Sequence, residues 1–277
     1  MMETTPLPRS AGGPLQVLAD AWTVARRNLI HIRRVPEKLA DVTIQPVMFV
    51  FMFAYIFGSA IVVPGGDYRA FLMPGIFAQS MAFASMSIMS QIVNDMSKGV
   101  MDRFRSLPMA RAAVLIGHTT SALLEGVLGL AVMVACGLVV GWRPHGGPGA
   151  TLAAVGLLLL LSFGLMWIGT FVALFLRSVE AVQGIGFVLL FPFTFVANTF
   201  VPTAGMPPWL RVVANWNPMS ATVAACRQLF GNAVASAASA PNWPLQHPVA
   251  AALVFGLGIT AIFLPLAVWR FQSVTSR

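Results

Sequence analysis

Residues 150–176 read ATLAAVGLLLLLSFGLMWIGTFVALFL, a run of 27 residues without a charged side chain. About 20 apolar residues in a helix cross the hydrocarbon core of a bilayer, so this stretch alone is long enough to span a membrane. The whole chain agrees, because 57% of its 277 residues are hydrophobic and only 9% are charged. That composition excludes a soluble enzyme, a disordered chain and a nucleic-acid-binding domain. It predicts an all-α integral membrane protein, since helices satisfy their own backbone in lipid.

Six apolar stretches each have about the length of one crossing. They lie at 42–63, 70–93, 112–140, 150–176, 181–201 and 249–269. The third and fourth are longer than one crossing requires, so we expect them to tilt or to project into the cytoplasm. Residues 42–277 are therefore predicted to form one domain with six transmembrane helices.

The distribution of basic residues predicts the orientation. Thirteen of the 17 lysines and arginines precede the first stretch, follow the second or the fourth, or lie in the C-terminal tail. The other four are Arg69, Arg143, Arg211 and Arg227. Because cytoplasmic loops are enriched in Lys and Arg, both termini are expected in the cytoplasm. The formal net charge of +8 then reflects topology and indicates no nucleic-acid partner.

The region before the first span divides into two parts. Residues 1–14 contain several prolines and glycines and no apolar core, so we expect a flexible cytoplasmic lead. In residues 15–41, apolar positions recur at three- and four-residue steps among four arginines. This pattern predicts an amphipathic helix at the inner membrane surface, followed by a link to the first span. Packing of that helix on a protein partner is the alternative.

The segment 202–246 between spans five and six is predicted to contain two short helices. Pro208 can open the first, and Asn217-Pro218 supplies an N-cap and a first-turn proline for the second. Both are too short to cross a bilayer, so they predict a re-entrant hairpin on the outer side. It would act either as a lid over an exit path or as a packing element held at the headgroup level by its tryptophans.

Motifs for catalysis are missing from the sequence. Neither of the two lysines, Lys38 and Lys98, lies in a phosphate-binding GxxxxGK[ST] sequence, so no nucleotide hydrolysis is expected in this chain. The histidines lack the HExxH spacing of a zinc site, and the two cysteines are far apart in sequence. We therefore predict no catalytic residue, no metal site and no cofactor held by this chain.

An ionisable residue inside a span is costly, and Glu125 lies near the middle of the third span, seven residues after His118. Glu125 either faces a translocation path, where it would attract a cationic or polar substrate or relay protons, or is hydrogen-bonded to a neighbouring helix. The methionine-rich second span and the phenylalanine-rich fifth suit an adaptable cavity for greasy or cationic molecules, or ordinary packing. The candidate path residues are Gln79, Met86, Glu125, Phe191, Phe195 and Asn198.

The loop between the second and third spans, 95–111, reads DMSKGVMDRFRSLPMAR. Phe104 and Leu107 are three residues apart among charges of both signs, which places them on one face of a short helix. Such a helix can dock into a groove of a soluble partner while the neighbouring charges fix its register. A solvated turn is the alternative.

The sequence KGVMDRFRSLP at 98–108 resembles the signature of ABC type-2 permeases, particularly the branch typified by the daunorubicin/doxorubicin-resistance exporter of actinomycetes. Three further sequences agree with this resemblance, namely PEKLADVTIQP at 36–46, YIFG at 55–58, and FVPTAGMPPWLR at 200–211 with Asn217-Pro218 after it. The resemblance covers nearly the whole chain, with the motifs in the expected order. Only the extreme N-terminus lies outside it.

The resemblance implies a six-span permease that works as a homodimer or heterodimer with two copies of a separate ATPase subunit, which would bind ATP and Mg²⁺. It implies that the 95–111 loop is the coupling helix that rests in a cleft of that ATPase. The matching positions are Gly99, Asp102, Arg103, Phe104, Arg105, Ser106, Leu107 and Pro108. The expected function is export of a hydrophobic or amphipathic drug, antibiotic or lipid across the bacterial cytoplasmic membrane.

Two other functions fit part of the sequence. A proton-driven secondary transporter would use Glu125 and His118, and its transport would survive ATP depletion but collapse with an uncoupler. A membrane anchor that only recruits a soluble partner would keep the 95–111 loop and need no polar cavity. The sequence shows neither inverted repeats nor paired broken helices, which argues against the secondary transporter.

Overall fold

The computed structural model describes residues 68–98, 111–200, 205–232 and 242–275, together with a few residues between 44 and 55. These residues form helices and no strands. In chain order the helices of the continuous ranges are α1 (Tyr68–Ser97), α2 (Arg111–Val139), α3 (Gly147–Ala173), α4 (Val179–Phe195), α5 (Pro208–Asn215), α6 (Pro218–Leu229), α7 (Trp243–Gln246) and α8 (Pro248–Thr275). The N-terminal lead and the predicted interfacial helix lie outside the described residues.

Four of these helices are long and apolar enough to cross a membrane: α1, α2, α3 and α8. They correspond to the second, third, fourth and sixth predicted spans, and their ends differ from the prediction by a few residues. The largest extension is that of α8, which continues to Thr275. Helix α1 also continues beyond its predicted end, to Ser97, and has 30 residues. At a rise of 1.5 Å per residue it is about 45 Å long, which exceeds the hydrocarbon core of about 30 Å. The chain is therefore a multi-pass membrane protein.

The fifth predicted span is shorter than the predicted range 181–201. Helix α4 has 17 residues and ends at Phe195, three residues after Pro192. The backbone at this end bonds to side chains of α6, because Asn217 Nδ2 donates to the Phe193 carbonyl at 2.8 Å. The Asn198 amide in turn donates to Ser220 Oγ at 2.8 Å. Side chains of α6 thus take the place of a further helical turn.

Helix α1 lies centrally, in contact with α2, α3, α4 and α6, and α3 also packs along α8. We call the end of the bundle near Tyr68 and α6 the cap end, and the end near Ser97 and Arg111 the loop end. Because lipid is as apolar as leucine, the hydrophobic effect does not hold helices together inside a membrane. Such contacts depend on close packing instead. At Gly164 a methyl group would lie 3.3 Å from the Gly256 carbonyl oxygen, so α3 and α8 approach closely there.

An aromatic cluster fills the cap end. The ring of Trp142 meets Phe77 and Phe230 edge-on, with centroids 5.3 and 5.0 Å apart. The His145 amide donates to the Phe230 carbonyl at 2.7 Å, which ties the turn between α2 and α3 to the end of α6. Gly231 follows with a φ of +72°, the left-handed conformation that commonly ends a helix.

The two short helices predicted in 202–246 are present as α5 and α6. The Asn217 side chain accepts a hydrogen bond from the Met219 amide and Pro218 occupies the first turn, as the sequence predicts. Helix α6 is buried along most of its length against α1, α3 and α8. Helix α5 instead exposes one face at a three- and four-residue spacing, made of Trp209, Val212, Val213 and Trp216. Helix α6 is thus part of the packed bundle, while α5 carries the two tryptophans on the exposed face of an interfacial helix.

Candidate functional site

Glu125 lies near the middle of α2, half-buried against α1. Its Oε2 accepts a hydrogen bond from Ser87 Oγ, and its Oε1 accepts one from Gln91 Nε2, each at 3.4 Å. Gln91 Nε2 also lies 3.1 Å from Ser87 Oγ, to which it donates. The carboxyl group is therefore hydrogen-bonded to the neighbouring helix, which is one of the two roles that the sequence predicts for Glu125. Part of the Glu125 surface is also exposed, as a residue that faces a translocation path requires.

His118 lies two helical turns from Glu125 and also faces α1. Its Nε2 is 3.3 Å from Asp95 Oδ2, and only 1% of the His118 side chain is exposed. The two residues thus share a face of α2, in agreement with their spacing, but contact different partners. Asp95 belongs to the last turns of α1, whereas the sequence placed it at the start of a loop.

Five polar side chains consequently line the contact between α1 and α2, and we call them the polar seam. They are Ser87, Gln91 and Asp95 of α1, and His118 and Glu125 of α2. Sequence reasoning singled out the two residues of α2 and missed the three of α1 as their partners. The available signal was a polar side chain at every fourth position, although Ser85, Ser90 and Asn94 also lie in this part of the span and obscure the pattern.

A row of stacked phenylalanines lies on the exposed side of α4. The rings of Phe187 and Phe191 have centroids 5.2 Å apart, and those of Phe191 and Phe195 are 4.2 Å apart. Beside this row the helix has a narrow buried line that packs on α1. We call these three residues the phenylalanine row. Its exposed apolar rings are available to lipid, to another subunit or to a substrate.

The phenylalanine row leads toward the polar seam. Phe187 meets Phe83 of α1 at a centroid distance of 6.5 Å. Phe83 is one helical turn from Ser87, which in turn bonds to Glu125. Of the predicted path residues, Glu125, Phe191 and Phe195 therefore lie along one series of partly exposed side chains, in which Phe83 and Ser87 are neighbours one helical turn apart.

The other three predicted path residues lie within helix packing. Met86 fills the contact between α1 and α4, where a methyl group added to Gly186 would be 3.0 Å from its Cε. Gln79 is only 3% exposed, and its Oε1 has no hydrogen-bond partner among the described residues. Asn198 is held by its backbone bond to Ser220. The structure does not bring these three to the exposed series.

Arg227 of α6 is buried, with 4% of its surface exposed. Its Nε donates to the Phe71 carbonyl at 2.9 Å, and its Nη2 donates to the Thr199 carbonyl at 3.1 Å. These bonds join α6 to α1 and to the segment after α4, and they offset the cost of burying the guanidinium. Sequence reasoning counted Arg227 only as a loop charge and missed this contact.

The residues predicted to contact a soluble ATPase all lie between 99 and 110, outside the described residues. They are Gly99, Asp102, Arg103, Phe104, Arg105, Ser106, Leu107 and Pro108. Their segment connects two helices that pack against each other, α1 and α2. Within the described part of the chain, no group of three or more His, Cys, Asp and Glu side chains could hold a metal ion.

The long apolar helices are those of a polytopic membrane protein, and the half-buried carboxylate within one of them marks a candidate functional site. Comparison with known families specifies the type, because residues 19–230 match the family model described as ABC-2 type transporter. The chain belongs to the ABC-2 type transporter family, whose relatives are named as permease proteins of ABC transporters.

Two relatives match almost the whole chain. A daunorubicin resistance ABC transporter permease protein of Streptomyces coeruleorubidus is 31% identical over 266 residues, which cover 96% of this chain and 89% of that protein. A protein of Mycobacterium tuberculosis named "Probable doxorubicin resistance ABC transporter permease protein" is 23% identical, with 95% of this chain and 92% of that protein covered. The family resemblance predicted from the motifs is confirmed.

Proposed function

We propose that the chain is the membrane-spanning permease subunit of an ATP-driven exporter of hydrophobic or amphipathic compounds. Its membership of the ABC-2 type transporter family carries this proposal. The exporter contains two permease copies in the bacterial cytoplasmic membrane and two copies of a separate ATPase, which binds ATP and Mg²⁺. Drugs, antibiotics and complex lipids are the substrate classes that fit, and the names of the two relatives favour a drug.

The permease has six spans in this proposal. Four are α1, α2, α3 and α8, the fifth is α4, and the first comprises residues 42–63. Burial of Val50 in the core at the cap end supports the last assignment. Both termini are cytoplasmic, which makes the loop end cytoplasmic and the cap end, with its α5–α6 re-entrant hairpin, external. The distribution of lysines and arginines supports this orientation.

The coupling segment, predicted as 95–111 and reduced to 98–110 by the ends of α1 and α2, transmits the work of the ATPase. Binding of ATP draws the two ATPase subunits together, and each subunit pulls on one segment. The pull tilts the helices and switches the central cavity between inward and outward access, to the extent that ATP binds the two states differently. The position of the segment between two packed helices, α1 and α2, supports this role.

The substrate path includes Glu125 and the phenylalanine row. A carboxylate near the middle of a span favours a positively charged group, and aromatic faces bind apolar or cationic molecules. The bond of Ser87 to Glu125 and the contact of Phe83 with Phe187, one helical turn apart on α1, support a binding surface for an amphipathic cation. The second permease copy would complete the cavity.

Purification of the tagged chain from its native membrane in mild detergent tests the function. We expect a soluble-type ATPase to co-purify at near-stoichiometric yield and to be lost when Asp102, Phe104 and Arg105 are replaced together. Replacement of Met109, which is outside the matching positions, is the control. A chain that purifies alone, with transport in vesicles that follows the proton gradient and survives ATP depletion, would show the proton-driven alternative instead.

A further inference from the structure

The polar seam lies on the half of the α1–α2 contact that is nearer to the segment 98–110. Asp95 meets His118 at one level, and Ser87 with Gln91 meets Glu125 at a second level. The two levels are seven residues apart on α2, which is about 10 Å along a helix. The two helices are antiparallel, so the later residue of α1 meets the earlier residue of α2. Both levels can therefore form in the same alignment of α1 against α2.

Directional contacts of this kind fix a register more firmly than apolar contacts do. His118 is almost fully buried, and a buried polar group that loses its partner costs free energy that an apolar group does not. Sliding or rotation of α2 by one residue would break both levels at once. The seam therefore resists relative movement of the two helices.

The contact between α1 and α2 has a different character toward the cap end. A methyl group added to Gly126 would lie 3.9 Å from the Met81 side chain, and one added to Gly137 would lie 2.7 Å from Met73 Cε. Methionine is unbranched and adapts its conformation to irregular surroundings, so these contacts tolerate small displacements. The seam is thus placed where a displacement of the segment 98–110 first reaches the bundle.

We propose that the polar seam makes α1 and α2 move as one body with the coupling segment, and that His118 and Asp95 are the positioning residues of this unit. A pull on the segment then displaces Glu125, which lies two helical turns from His118 on α2, because the two helices do not slide against each other. The inference rests on the proposed function, in which an ATPase contacts the segment. It assigns to the seam a role in coupling, separate from contact with substrate.

Variants of the reconstituted complex with its ATPase test the role. We expect His118→Phe and Asp95→Leu, singly or together, to keep ATP hydrolysis while transport per ATP falls about tenfold, within the range of typical coupling energies. The exchange Asp95→His with His118→Asp should restore most of the ratio. Thr119→Val is the matched control, because the Thr119 hydroxyl is buried and bonds to the Leu115 carbonyl of its own helix. An unchanged ratio in His118→Phe, or an equal loss in Thr119→Val, would overturn the inference.

A cross-link tests the same role by reconnecting the two helices. Cysteines at positions 95 and 118, in a chain with Cys136→Ser and Cys226→Ala, are joined by a short bifunctional thiol reagent. Before the reagent is added both seam residues are replaced, so we expect low transport per ATP, and joining the cysteines should raise it toward the wild-type ratio. Loss of transport on cross-linking would show that the two helices must move against each other. Absence of ATP-driven transport in the wild-type complex would instead refute the proposed function.

Discussion

The guanidinium carbon of Arg227 lies 3.5 Å from the centroid of the Phe71 ring, and Arg227 Nε donates to the Phe71 carbonyl at 2.9 Å. A second bond reaches the Thr199 carbonyl at 3.1 Å. One side chain thereby connects α6, α1 and the segment after α4. This arrangement requires the planar guanidinium, which can stack on a ring and donate in two directions at the same time.

Replacement of Arg227 by methionine or lysine is expected to destabilise the permease. Methionine removes the donors and leaves two buried carbonyl groups without them, while lysine cannot stack and donate in the same geometry. We expect a loss of about 2–4 kcal/mol for methionine and a smaller loss for lysine, because two bonds to a charged group contribute about 1.5–3 kcal/mol each and methionine regains part of that sum by removing a buried charge. Thermal unfolding in detergent, followed by tryptophan fluorescence, measures the effect. Arg177→Lys, at an exposed position, should leave the unfolding temperature unchanged.

Gly75 is expected to tolerate no larger side chain. A methyl group there would lie 2.6 Å from the Thr199 backbone oxygen, which cannot move away as a flexible side chain can. We expect Gly75→Ala to lower the free energy of unfolding by about 1–3 kcal/mol through overpacking. Gly156→Ala is the control, because its added methyl group would meet no atom within 4 Å. Equal stability of the two variants would contradict the close approach of α1 to Thr199.

Glu125→Gln separates the charge of this side chain from its hydrogen bonds. The amide can still bond to Ser87 and Gln91, so the unfolding temperature and the membrane level of the protein should stay close to wild type. If Glu125 faces the path, transport of a cationic substrate should fall about tenfold, since one lost charge interaction is worth roughly 1–2 kcal/mol. A neutral analogue should be transported as before. Unchanged transport of both compounds would leave only the structural role.

The phenylalanine row is expected to contribute to substrate affinity and little to stability. Phe191 and Phe195 are exposed, so their replacement by alanine creates no cavity in the core. Loss of one aromatic contact, worth about 0.5–1.5 kcal/mol, should weaken substrate binding by roughly 2- to 12-fold. Binding of a fluorescent amphipathic cation to the purified protein measures this affinity. Val188→Ala, which changes a 71% exposed side chain outside the row, should bind it like the wild type.

The helices could be predicted from the sequence because their cause is local. A run such as 150–176 has no charge and can satisfy its backbone only as a helix in lipid, whatever surrounds it. The start of α6 is likewise determined locally, by the N-cap Asn217 and the first-turn Pro218. The end of α4 could not be predicted in this way. It depends on Asn217 and Ser220 of another helix, which bond to the backbone around Pro192.

The site was predictable only in part for the same reason. The composition of the sequence marked Glu125 and His118 as unusual, because any ionisable residue in an apolar span is costly. It could not show that Asp95, Ser87 and Gln91 would be their partners, since 23 to 38 residues separate the pairs and helix packing alone sets their register. The same holds for Arg227 and Phe71, which are 156 residues apart. The sequence by itself determined that the protein spans a membrane and belongs to a transporter family, whereas the tertiary structure decided which of its polar groups meet, because side-chain contacts between helices depend on packing that no local pattern encodes.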